Sequence, residues 1–74
     1  MNRNEWRLEQ ASRKALQLEE TAVLTHKYIK LVAERYGSDS PRTRRAIRAN
    51  RCAHQNAVNA WFAWDILVRA RCAS

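Results

Sequence analysis

Apolar and small residues recur along the first half of the chain at alternating spacings of three and four: Leu8, Ala11, Ala15, Leu18, Ala22, Thr25, Ile29, Val32 and Tyr36. At about 3.6 residues per turn, such a run stays on one face of one helix. It predicts a first helix over about 3–36 with a seam that packs lengthwise against another helix. Asn2 stands where an N-cap belongs, with Glu5 three residues on, as in a capping box. Gly37, the sole glycine, falls where a residue in the left-handed conformation ends a helix.

The turn is expected at 37–40. Ser40 is placed to cap a second helix, and Pro41 takes its first position, where a missing N–H costs nothing. That helix should run over about 41–71, with Ala46, Ala49, Ala53, Asn56, Ala60, Ala63 and Leu67 as its seam. So short a link folds the two helices back as an antiparallel hairpin. Counting outward from the turn sets Val32 against Ala46, Ile29 against Ala49 and Leu18 against Ala60, large against small. Asn56 falls opposite Ala22 and Thr25, where a polar side chain would set the register. The expected fold is all-α: one coiled-coil-like hairpin domain spanning 1–74.

Two seams do not absorb all the apolar side chains. Leu24, Tyr28 and Leu31 lie off the first seam, and Val58, Trp61, Phe62, Trp64, Ile66 and Val68 are spread around the second helix. A helix apolar on several sides is covered by protein. These nine residues are therefore expected to form a self-association or partner interface, most simply in a homodimer with a four-helix bundle.

Composition narrows the classes further. With one Gly and one Pro in 74 residues, the chain lacks the turns of a sandwich or barrel and the glycines of a phosphate loop. The net charge is +7, and it is local. Lys27, Lys30, Arg35, Arg42, Arg44, Arg45, Arg48 and Arg51 face only Glu34 and Asp39 between positions 25 and 51, a net of +6 at the turn end of the hairpin. Arginines at a helix N-terminus stand at the positive end of its dipole, so local stability does not explain them. They point to an anionic partner, and the guanidinium fork suits carboxylates or phosphates. The leading expectation is a protein with an acidic face; a nucleic acid held through its phosphates, with no base-reading motif, is the alternative.

Other chemistry is thin. Cys52 and Cys72 lie about 30 Å apart along one helix, too far for an intrachain disulfide, which points to free thiols in a reducing cytoplasm. The amino terminus has no signal-like apolar run, and the longest uncharged stretch, 52–64, is too short and polar to span a bilayer. Arginines and aromatics separate along the second helix rather than around it, unlike an interfacial membrane helix. Cys52 and His54 diverge by about 200° on a helix, Glu19 and Glu20 are adjacent, and no serine has a base beside it. No metal, cofactor or catalytic residue is expected. The sequence thus reads as a small non-catalytic regulator, of the size of phage or plasmid inhibitors and adaptors. It would dock on a larger protein through its arginines and aromatics. A self-assembling scaffold is the remaining alternative.

Overall fold

A computed structural model describes residues 2–73 of the chain. Helix α1 spans Arg3–Tyr36 and helix α2 spans Pro41–Ala73, two residues past the expected end. They lie antiparallel, joined by the turn at 37–40 and tied at their open ends by an Arg71–Glu5 pair at 3.8 Å. No helix among the described residues is long and apolar enough to cross a membrane.

Side-chain caps start both helices. The Asn2 Oδ1 accepts the Glu5 N–H at 2.8 Å, which satisfies one of the first free amides of α1. The Glu5 carboxylate does not return to Asn2 and reaches across to Arg71 instead. At the turn, Gly37 ends α1 by donating its N–H to the Ala33 carbonyl at 2.9 Å, with φ 93° and ψ 150°. This is not the left-handed helical conformation expected there but an extended positive-φ region that only glycine occupies readily. A Cβ built at Gly37 would meet nothing within 4 Å, so the requirement is conformational rather than steric.

The turn is locked by a residue the sequence pattern does not single out. Thr43, 2% exposed, donates its hydroxyl to the Gly37 carbonyl at 2.7 Å. With that proton committed, the Ser40 hydroxyl is the donor in the 2.9 Å contact with Thr43 Oγ1, and Ser40 Oγ accepts the Thr43 N–H at 3.2 Å. The Ser40–Thr43 pair thus caps α2 and fastens it to the end of α1.

Between the helices the core is small in every sense. Its buried apolar residues are Ala15, Val32, Ala46, Ala53 and Ala57, so the seam is mostly methyl groups. On α1 the expected face is the one that packs as far as Val32: Leu8, Ala11, Leu18, Ala22, Thr25 and Ile29 are half-buried on it, but Tyr36, expected at its end, is exposed because the turn carries the chain away beside it. On α2 the expected seam is half right. Ala46, Ala53, Ala60 and Leu67 face α1, but Ala49, Asn56 and Ala63 are exposed, and Asn50, Ala57 and Trp64 take the alternate levels. Both sets keep three-four spacing through the same alanines, and a chain with twelve alanines does not itself say which is the inner one.

The polar register residue follows the same correction. Asn50, not Asn56, lies against Ala22 and Thr25: its Nδ2 donates to the Ala22 carbonyl and to Thr25 Oγ1, both at 2.9 Å. Thr25 in turn donates its hydroxyl to that same Ala22 carbonyl at 3.0 Å, which closes the network.

Two substitutions test this account by urea unfolding at fixed protein concentration. Asn50→Ala should cost about 1–2 kcal/mol, because it removes both interhelical hydrogen bonds of a half-buried site. Gly37→Ala should cost about 1–3 kcal/mol although no atom clashes, whereas D-alanine, which favours positive φ, should cost less than L-alanine at 37 in a synthetic chain.

Candidate interaction surface

A 53 × 18 × 12 Å rod has little interior. Its radius of gyration is 16.6 Å, against about 11 Å for a compact domain of this length. The accessible surface is 6159 Å², whereas a compact monomer of 8.7 kDa exposes about 4,700 Å². The surplus is apolar in good part. Leu24, Tyr28 and Leu31 on α1, and Val58, Phe62 and Ile66 on α2, are all exposed, Phe62 the most at 66%.

The expected interface residues therefore divide. Trp61, Trp64 and Val68 are half-buried along the hairpin's own flank. Trp61 and Trp64 meet edge to face at 5.6 Å and 88°, and the Trp61 indole N–H donates to Glu19 Oε2 at 3.2 Å. Phe62 lies between them in sequence but on the opposite side of α2, facing away from the hairpin. His26 and His54 line one groove beside Val58 and Trp61. No group of three or more potential metal ligands occurs among the described residues, and Cys52 and Cys72 are both free and exposed.

The basic residues divide as well. Arg35 and Arg42 converge on the Tyr36 ring at the turn, their guanidinium carbons 5.7 and 4.4 Å from its centroid. These cation–π contacts brace the tip across the turn. Lys27 and Lys30 are exposed on α1, one turn apart. Arg44, Arg48 and Arg51 form a row on the outer side of α2, with Arg45 about 100° around from Arg44. Among the described residues, none of these eight cations has an ion-pair partner.

The row of arginines does not stop at the last of them. Residues 44, 48, 51, 55, 58, 62, 66 and 69 all fall within about 40° of one line along α2, at 100° per residue. All eight are exposed. The line reads Arg44, Arg48, Arg51, Gln55, Val58, Phe62, Ile66, Arg69, and Arg69 is neutralised by Asp65 at 2.9 Å. One straight ridge, about 33 Å long from Arg44 to Ile66, is thus basic in its first half and apolar in its second. Its two halves look separate in the sequence because they lie two turns apart.

No protein-family model matches the chain, and no curated protein or solved structure is significantly similar to it.

The electrostatics of the ridge carry a stability consequence. Arg44 lies near the positive end of the α2 dipole and one turn before Arg48, a like-charged neighbour. Arg44→Glu should raise stability by about 0.5–1 kcal/mol, read as a higher denaturant midpoint with unchanged slope. A neutral or lower midpoint would mean that the arginine makes a compensating contact.

Proposed function

We propose that the protein is a non-catalytic binding module that docks the outer ridge of α2 on a larger protein. The observation that supports this is collinearity: Arg44, Arg48 and Arg51 run directly into Val58, Phe62 and Ile66 on one exposed line. A phosphate backbone would use only the first half of such a ridge and leave the aromatic half in water. A protein groove or helix with an acidic stretch followed by an apolar one matches both halves. Large apolar anchors flanked by unpaired arginines are the composition of interface hot spots. The geometry does not favour self-pairing along this ridge. Two copies laid parallel set arginine on arginine, and two laid antiparallel set arginine on the apolar half.

The reading extends to assembly. A rod with about 1,400 Å² more surface than a compact monomer has more to cover than one standard contact of about 800 Å² would take. We assign one contact to the partner on α2 and another to a second copy, giving a dimer of four helices. Two exposed thiols suit a reducing compartment such as the cytoplasm.

The test is binding by variants of each half. Arg48→Glu and Phe62→Ala should each lose capture of the same protein from nuclease-treated lysate of the native host, while duplex DNA and RNA bind weakly at moderate salt. Tight binding to duplexes that falls steeply between low and moderate salt, and that Phe62→Ala leaves intact, would establish the nucleic-acid reading instead. Loss of no partner by either variant would turn the interpretation toward a scaffold.

A further inference from the structure

The outer face of α1 carries a second ordered pattern, distinct from the ridge on α2. Reading outward from the bond between Val23 and Leu24, the exposed residues come in matched pairs. Val23 is matched by Leu24, Glu20 by Lys27, Leu16 by Leu31 and Arg13 by Glu34. Each apolar residue has an apolar mate at the same distance, and each charged residue has a mate of opposite sign. All eight are exposed and lie within about 55° of one line along the outer side of the helix, with Val23 and Lys27 at the edge of the groove that α2 lines with His54, Val58 and Trp61. Leu24 and Leu31 are each 64% exposed, and Leu16 and Val23 about half.

A stripe that is palindromic in hydropathy and inverted in charge has one natural complement, which is itself turned end for end. We propose that α1 is the dimer interface, with a second copy packed antiparallel about a two-fold axis that passes between Val23 and Leu24. This rests on the self-association proposed above and adds its surface and register. In this register Glu20 meets Lys27 of the second copy, twice by symmetry, and Leu16 meets Leu31 of the second copy, while Val23 and Leu24 close the centre. Arg13, held in the hairpin by Glu9 at 2.6 Å, gains Glu34 of the second copy as a further carboxylate. Glu20, Lys27 and Glu34 have no ion pair within the hairpin among the described residues, so their charges are free to serve this contact. Sliding either copy by one heptad sets Glu20 on Glu20 or Lys27 on Lys27, so charge selects one alignment among those that the leucines would accept. The overlap of the two α1 helices runs from residue 11 to residue 36, about 39 Å.

Charge reversal with rescue in the same chain tests the register. Sedimentation equilibrium of the full chain should show a dimer. Glu20→Lys alone and Lys27→Glu alone should each weaken it at least about tenfold, since each removes two attractive pairs and creates two repulsive ones. The double variant E20K/K27E should recover to within about threefold of the parent, because the pairing is restored with its signs exchanged. Both substitutions sit on exposed positions, and far-UV circular dichroism of the three variants should show the hairpin intact. A parent that stays monomeric to millimolar concentration overturns self-association itself. A dimer indifferent to the single variants, or a double variant no better than the singles, overturns this interface while leaving self-association standing.

Discussion

The thinness of the seam governs everything else in this molecule. Helices that meet through Ala15, Ala46, Ala53 and Ala57 can approach closely, but each alanine hides little area when it is buried. A two-helix rod has no third element to cover the larger side chains, so leucines, aromatics and isoleucine are left on its outer faces. Stability within the hairpin then leans on polar devices that a thicker core would not need. These are the Ser40–Thr43–Gly37 network at the turn, the Asn50–Thr25–Ala22 network at mid-length and the Arg42–Tyr36 contact at the tip.

The same constraint shapes function. Surface that cannot be buried inside is available outside, and it is patterned differently on the two helices. The outer line of α2 is asymmetric from end to end, which fits a partner unlike itself. The outer line of α1 is balanced about its midpoint, which fits a copy of itself. Arginines at the start of α2, in the place where a helix would favour acids, cost local stability, and the recognition role proposed for them would account for that cost.

Much of the fold was legible in the residues. The unbroken spacing from Leu8 to Tyr36, the lone Gly37 and the Ser40-Pro41 start gave both helices and the direction of the hairpin. What escaped was the rotation of α2. When most seam positions are alanine, hydropathy does not rank Ala49 against Ala57 or Asn56 against Asn50, and only the packing of real helices decides. Thr43 was hidden for a related reason: its burial comes from the path of the turn rather than from any periodic pattern. The candidate surface was legible as a set of residues but not as a line. Arginines and aromatics that look like two ends of a rod share one ridge because Arg44 and Phe62 are eighteen positions, five full turns, apart.

Asn50 illustrates the difference between strength and information in a small interface. Ala46, Ala53 and Ala60 recur every seven residues, so α2 displaced by a heptad along α1 would meet nearly the same methyl groups. Packing alone is almost degenerate among such alignments, and the turn resists sliding only as long as it holds. The paired donors of the Asn50 amide find the Ala22 carbonyl and the Thr25 hydroxyl in one alignment only. A single side chain thus acts as a label on an otherwise repetitive rail, and what it supplies is less the energy of two hydrogen bonds than the removal of ambiguity.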